Sequence, residues 1–226
     1  MLADRTTRVV LVAGGALSAG LLLVLGVLLG LHWGPARDVP AAGSVDAGFA
    51  LDMQAHHRQA VEMSSLVLDR TDDEAVRTLA RDIQLTQQQQ AGQMYGWLEQ
   101  WGLGQGRTEP VMGWMVGADV AGGVAGHHTA EVPADGLGSV AAMPGMASDA
   151  QMAALAAADG EGAERLYLQL MATHHVAGVE MAQVAAAEAS DPQVRHLAGA
   201  MARGQRSELT VLRDLLAERG GPVEGV

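Results

Sequence analysis

The chain repeats itself over a long stretch without a gap. Residues 49–98 align with residues 167–216 at a constant offset of 118, and 13 of the 50 aligned positions are identical. Both copies contain the pattern Met-x-x-His-His, written as Met53, His56, His57 and again as Met171, His174, His175. An ungapped match of this length indicates duplication of one structural unit, and such units bury their apolar faces against each other. We therefore expect both copies in one domain.

Each copy predicts two helices with a break between them. In the first copy, apolar residues recur at three- and four-residue steps over residues 49–67 and again over residues 76–98, the spacing of one buried helix face. The break offers either a Thr71–Glu74 capping box or Asp73 as a direct N-cap, and the second copy has Asp191 followed by Pro192 there. The pattern predicts an all-α four-helix bundle built from two hairpins with a long crossover.

Composition along the chain predicts the limits of each segment. Residues 1–32 are an N-terminal transmembrane anchor or signal, and residues 33–48 are a flexible tether rich in Pro, Gly and Ala. Residues 49–219 are the bundle, with hairpin repeats at 49–101 and 160–219, and residues 220–226 are a tail. The crossover, residues 102–148, is rich in glycine and too long for a simple turn. A short helix over residues 149–158, capped by Ser148 or Asp149, follows it.

The N-terminal segment predicts contact with a membrane. Residues 9–31 carry no charge, and 23 helical residues are long enough to cross a hydrocarbon core of about 30 Å. Arg5 and Arg8 precede the run, which places the N-terminus in the cytoplasm and the rest of the chain outside it. We expect a single-pass anchor in the cell membrane with an extracytoplasmic C-terminal domain. A cleaved signal peptide, which would give a secreted protein, is the alternative.

The duplicated histidines and methionines are candidate metal ligands. On a helix, Met53 lies one turn before His56 and His57, so its thioether falls between the two imidazoles, and the second copy repeats this arrangement. Imidazole and thioether donors without thiolate favour Cu(I), with Cu(II) possible on the imidazoles alone, and the chain has no cysteine. The predicted copper ligands are His56, His57, His174, His175, Met53, Met171, Met63 and Met181.

The crossover holds a second set of soft donors. Weaker candidate ligands in it are His127, His128, Met143 and Met146, and it also carries Met112 and Met115. A structural role is the alternative for Met143 and Met146, because a Met-Pro-Gly-Met turn ahead of a capped helix is also typical of a helix start.

Two other interpretations of the bundle stay open. Buried histidines can be hydrogen-bonded structural residues and helical methionines can be core filler, which would make the protein a structural or partner-binding bundle with no metal. A di-iron or di-manganese centre needs inward Glu-x-x-His motifs, and the sequence contains none. Asp52, four residues before His56, is a candidate to orient that imidazole.

Charge and motifs exclude several classes of function. The formal net charge of −12 argues against nucleic acid as a partner, because phosphate binding needs clustered basic side chains. No nucleophile elbow, phosphate-binding glycine loop or paired-carboxylate motif occurs, which disfavours a hydrolase or nucleotide enzyme. We therefore expect binding rather than catalysis, and the sequence predicts no particular oligomeric state.

Beyond these separate motifs, the chain resembles the bacterial DUF305 family. The resemblance rests on the two His-His helices, on "WLEQWG" at the end of the first hairpin, and on "MPGMASDAQMAAL" leading into "LYLQLMATHHVAGVEMA". It implies a ferritin-like four-helix bundle, export or membrane attachment, and, for some members, copper binding or copper tolerance. The second copy departs from the first where Gly178 stands in place of Ala60.

The sequence thus predicts a membrane-anchored, extracytoplasmic copper-binding protein that buffers the ion or transfers it. Each hairpin would supply half of one interior site. This hypothesis requires that the two His pairs face inward and approach each other.

Overall fold

The computed structural model describes residues 15–29, 39–116 and 136–225, which fall into two compact units, Met1–Val39 and Pro40–Val226. Within these ranges the regular secondary structure is entirely helical. The α-helices are α1 (residues 15–29), α2 (Val45–Leu68), α3 (Glu74–Gln100), α4 (Asp149–Ala157), α5 (Gly160–Glu188) and α6 (Pro192–Glu218). Two short 3₁₀ turns, Gly113–Met115 and Val140–Ala142, lie in the crossover.

The first unit contains α1, whose side chains are exposed. This helix covers the middle of the predicted membrane span, and residues 9–14 and 30–31 of that span lie outside the described residues. Across the described ranges, no helix combines the length and the hydrophobicity needed to cross a membrane.

The helices of the second unit begin where their capping residues dictate. Asp73 caps α3 directly, accepting a hydrogen bond from the backbone N–H of Val76, and Asp191 caps α6 ahead of Pro192. Ser148 caps α4 in a full capping box. Ser44 accepts from Ala47 and starts α2 at Val45, inside the stretch predicted as tether. The bundle therefore begins earlier than the repeat does, because this cap lies upstream of the aligned residues.

Two helical hairpins, α2 with α3 and α5 with α6, pack against each other through α2 and α5. The contact is antiparallel and reciprocal. Buried Asp46 at the start of α2 accepts hydrogen bonds from the backbone N–H groups of Ser190 and Asp191 at 3.0 and 2.7 Å. Glu164, at the equivalent position of the second copy, accepts from Thr71 in the break of the first hairpin. The first helix of each hairpin thus forms hydrogen bonds with the interhelical break of the other hairpin.

Two apolar clusters fill the bundle, one toward each end. The Met53 cluster contains Phe49, Met53, Met94, Trp97, Leu98, Met181 and Met201 among its buried members. The Met63 cluster contains Met63, Val67, Ile83, Tyr167, Met171 and Leu212. On each of the four long helices, buried polar side chains lie between the two clusters: His56 and His57 on α2, Gln87 on α3, His174 and His175 on α5, and Gln205 on α6. A buried polar band therefore separates the two halves of the core.

Both described ends of the crossover are fastened to α2. The position of Asp52 in the sequence suggested that it orients the imidazole of His56, but its carboxylate binds other groups. It is fully buried and accepts from the backbone N–H of Met112 at 2.8 Å and from Nε1 of Trp114 at 2.7 Å, and it pairs with Arg107 at 2.6 Å. These partners lie 55 to 62 residues away in sequence, beyond the reach of helical spacing.

Candidate metal centre

The polar band is the candidate site, and we call it the histidine layer. The two inner helices α2 and α5 supply four imidazoles, and α3 and α6 supply four polar side chains at the same level of the bundle. Its members are His56, His57, His174, His175, Gln87, Gln90, Gln205 and Glu208. All four histidines are fully buried, and the rings of His56 and His174 lie with their centroids 3.6 Å apart at an interplanar angle of 30°. The layer therefore brings both His pairs into one interior.

Three of the four imidazoles each form a hydrogen bond through one of their two ring nitrogens. Nε2 of His57 donates to Oε1 of Gln90 at 2.9 Å, and Nε2 of His175 donates to Oε2 of Glu208 at 2.7 Å. Nε2 of His174 donates to the backbone carbonyl of His56 at 2.9 Å. Because each partner is an oxygen, each of these Nε2 atoms carries a proton, and in a neutral imidazole this leaves Nδ1 with a free lone pair.

The remaining ring nitrogens are buried without partners. Within the described part of the chain, Nδ1 of each of the four histidines has no hydrogen-bond partner, and neither has Nε2 of His56. A buried polar atom without a partner costs free energy of about 1–3 kcal/mol. One nitrogen donating to an oxygen while the other is free is the usual state of a metal-ligating histidine.

Three of the four imidazoles have a lowered pKa and are neutral at physiological pH. Burial lowers the pKa of His56 to about 3, with the neighbouring His57 and His175 adding to the effect and the carbonyl of Pro144 opposing it. Burial likewise lowers the pKa of His57 to about 4. The pKa of His174 lies well below its ordinary value, mainly through burial and then through His56. Neutral imidazole is the form that coordinates a metal, so these three side chains need not lose a proton first.

The predicted methionine ligands flank the layer in two groups. Met53 and Met181 belong to one apolar cluster, and Met63 and Met171 belong to the other. All four are buried. The antiparallel crossing of α2 and α5 explains this division, because residues that precede the histidines on one helix lie beside residues that follow them on the other. The thioethers therefore lie on both sides of the imidazoles rather than together at one point.

The Met-Pro-Gly-Met turn of the crossover packs directly on the layer. Gly145 has φ +75°, and a methyl group added there would lie 3.1 Å from Cα of His174 and 2.6 Å from Cβ of Ala177. The side chain of Gln59 holds the turn from the other side, donating to the carbonyl of Ala147 and accepting from its N–H. Met143 is buried and Met146 is half-buried. His127 and His128 lie outside the described residues.

Four members of the layer were absent from the sequence prediction. Gln90 and Glu208 occupy equivalent positions of the two copies, but because they differ, a search for identical residues misses them. Gln87 and Gln205 are identical equivalents, and both amides are buried with no hydrogen-bond partner in the described ranges. Their position three residues before Gln90 and Glu208, on the same helix faces, is the signal that could have identified them.

The donor set is suited to copper, although the ligands are not arranged around one point. Among the described residues, no three His, Asp or Glu side chains already form a metal-binding group. The tilted rings of His56 and His174 have centroids 3.6 Å apart, which leaves no room for an ion between them. Binding therefore requires rotation of at least one imidazole. The unpartnered nitrogens, together with nearby thioethers and no thiolate, fit copper better than a carboxylate-preferring metal.

Fold and site together define the protein as an all-helical bundle of two repeated hairpins that enclose a buried histidine layer. Residues 46–216 match the family described as "Domain of unknown function (DUF305)". The chain belongs to the DUF305 family. No curated protein matches it.

Solved structures share this fold. A candidate secreted DUF305 protein from Streptomyces coelicolor is 44% identical with a TM-score of 0.68, covering 82% of this chain and 100% of its own. A DUF305 fragment from Deinococcus radiodurans is 30% identical with a TM-score of 0.59, covering 77% of this chain and 96% of its own. A protein named CopM, in its Cu(II)-bound form, is 22% identical with a TM-score of 0.54, covering 77% of this chain and 97% of its own.

Proposed function

We propose that this protein binds copper outside the cytoplasm and buffers the ion or transfers it. The histidine layer is the binding site, and each hairpin supplies two of its imidazoles. The ion is cargo in this proposal, and no catalysis is assigned to the layer.

One observation carries the proposal. Four buried imidazoles present Nδ1 atoms that find no partner among the described residues, while three of these imidazoles are fixed through Nε2. A layer used only for structure would be expected to pair these atoms, since each unpaired one destabilises the fold. A bound ion would satisfy several of them together.

The thioethers extend this site toward Cu(I). Met53, Met63, Met171 and Met181 flank the layer, and the turn at residues 143–146, whose Gly145 packs against the backbone of His174, carries two further methionines. Soft sulfur ligands select Cu(I), whereas imidazoles accept both oxidation states. CopM, which shares the fold, has structures in both Cu(I)-bound and Cu(II)-bound forms, and this supports the proposal.

The location of the protein is part of the proposal. Residues 9–31 would anchor it in the cell membrane, with the bundle on the extracytoplasmic side. The related candidate secreted protein supports export of the bundle. Cell fractionation and N-terminal sequencing test this placement. Protein in the membrane fraction with an intact N-terminus supports the anchor, and shortened protein in the medium supports signal cleavage instead.

Metal titration tests copper binding. The full-length chain in detergent is titrated with Cu(I) and with Cu(II), each against a chelator of known affinity. We expect one tight copper site per chain, and loss of more than about a hundredfold in affinity when His56, His57, His174 and His175 are all replaced by alanine. His57→Asn and His175→Asn are milder variants that retain the packing if the fourfold variant does not fold.

The matched control is His196→Ala, because His196 lies exposed on α6, away from the layer. It should leave both affinities unchanged. Equal copper affinity in the wild type and in the folded layer variants would contradict the proposal. Failure of the wild type to bind either ion would favour the second interpretation, a structural or partner-binding bundle.

A further inference from the structure

The two halves of the histidine layer differ in one charge. His57 and His175 are equivalent residues of the repeat, and so are the side chains that accept their Nε2 protons. In the first half the acceptor is the neutral amide of Gln90, and in the second it is the carboxylate of Glu208. The side chains of Gln and Glu have nearly the same shape, so charge is the main difference between the two contacts.

Glu208 is placed to act on the layer rather than on solvent. Its side chain is 25% exposed, and its carboxylate lies 2.7 Å from a fully buried imidazole. Burial is the main cause that raises the pKa of Tyr167, and the negative charge of Glu208 raises it further. In the described part of the chain, no arginine forms an ion pair with this carboxylate.

Such a carboxylate affects the two copper ions unequally. A carboxylate that accepts a proton from a ligating imidazole makes that imidazole a stronger donor. Its negative charge also attracts a doubly charged ion more strongly than a singly charged one, and partial burial leaves this attraction less screened than in water. An amide in the same place keeps the hydrogen bond without the charge.

We propose that Glu208 is a positioning residue that biases the histidine layer toward Cu(II) through His175, and that Gln90 is its neutral counterpart. This inference rests on the proposed copper binding and adds to it which oxidation state the second half favours. Glu208 does not touch the ion in this arrangement, because the imidazole lies between them.

Isosteric substitutions test the inference. Affinities of the full-length chain for Cu(I) and for Cu(II) are measured by chelator competition in the wild type and in Glu208→Gln. We expect Glu208→Gln to weaken Cu(II) binding about tenfold and Cu(I) binding much less. Adding Gln90→Glu to this variant returns a carboxylate to the layer behind His57, and it should restore most of the Cu(II) preference.

Glu62→Gln is the matched control. Glu62 is exposed on α2, five residues after His57, so its replacement removes one charge without touching an imidazole. We expect no change in either affinity. The Cu(II) paramagnetic resonance spectrum gives a second readout, since a weaker donor at His175 changes its hyperfine splitting in Glu208→Gln but not in Glu62→Gln.

The possible failures are distinguishable. If the wild type binds neither ion, the proposed function fails and the inference fails with it. If the wild type binds copper, and Glu208→Gln shifts both affinities equally or leaves both unchanged, the inference alone is overturned. If the double variant does not fold, His175→Asn against His57→Asn replaces it, with a larger loss of Cu(II) affinity expected for His175→Asn. Equal losses overturn the inference.

Discussion

At the scale of single residues, Gly178 shows how the two copies have diverged around the layer. It stands where the first copy has Ala60, and the amide of Gln205 lies against its backbone. A methyl group at position 178 would lie 2.4 Å from Oε1 of Gln205. Gln205 is buried, which leaves its amide little room to move away. The missing side chain therefore makes space for a polar group of the layer.

This contact predicts that Gly178→Ala lowers the free energy of unfolding when Gln205 is present and raises it when Gln205 is replaced by alanine. In the wild type, we expect destabilisation of about 1 kcal/mol, because overpacking outweighs the gain in helix propensity. In a Gln205→Ala background, the same substitution should stabilise the protein by about 0.5–1 kcal/mol, because only the propensity gain remains. Urea unfolding of the four proteins measures both effects. A stabilising effect in both backgrounds would contradict the contact.

Gly162→Ala is the control for this cycle. Gly162 lies in the same helix, and nothing would lie within 4 Å of an added methyl group. Its replacement should have the same small effect with and without Gln205.

At the scale of helices and their breaks, polar contacts join the two hairpins, and aligning the two copies does not show which residues form them. Asp46 and Glu164 occupy equivalent positions, and each binds the break of the opposite hairpin. Arg77 and Arg195, which are identical in the two copies, donate to backbone carbonyls of their own breaks. The arginines close each hairpin, and the two acids join one hairpin to the other.

The acid at the start of α2 gives a prediction about this joint. In Asp46→Asn, the amide keeps one acceptor but turns an NH₂ group toward a backbone N–H that loses its partner. We expect destabilisation of about 1–3 kcal/mol, the cost of a buried unpaired donor. Asp72→Asn, an exposed change in the break of the first hairpin, should alter stability by less than about 0.5 kcal/mol. Equal effects in urea unfolding would show that Asp46 does not join the hairpins.

The sequence predicts the helices better than their polar contacts, for a physical reason. Helix periodicity and caps are local, so the apolar stripes, Asp73 and Asp191 could be read directly. The partners of Asp52, Asp46 and Gln59 are set by the tertiary packing of distant segments. Position alone favoured His56 as the partner of Asp52. This was wrong, because residues of the crossover bind the Asp52 carboxylate instead.

At the scale of the whole molecule, the layer interrupts an otherwise continuous core. The repeat predicts that the His pairs share an interior, since duplicated hairpins pack about a pseudo-twofold axis. It did not predict that the methionines divide between two clusters, because this depends on the antiparallel crossing of α2 and α5. In place of apolar side chains, the layer contains buried histidines, and burial lowers the pKa of three of them. Stability must therefore depend on pH.

The direction of that dependence follows from the lowered pKa values of His56, His57 and His174. Well above pH of about 6.5, the ordinary histidine pKa, neither the folded nor the unfolded chain binds these protons, and stability is complete. Below it, the unfolded chain takes up protons that the folded chain excludes until pH of about 4 for His57. Each such imidazole should then cost up to about 1.4 kcal/mol per pH unit.

Metal-free protein unfolded in urea at pH 7.5, 6.5, 5.5 and 4.5 would show this loss. We expect a small fall in the free energy of unfolding between pH 7.5 and pH 6.5 and a steep fall below pH 6.5, before most carboxylates titrate. His57→Asn should reduce the slope by up to about 1.4 kcal/mol per pH unit, since it removes one excluded proton. His196→Asn, at an exposed site, should leave the slope unchanged. Stability that stays constant from pH 7.5 to pH 5 would mean that His56, His57 and His174 are not held in a dry interior.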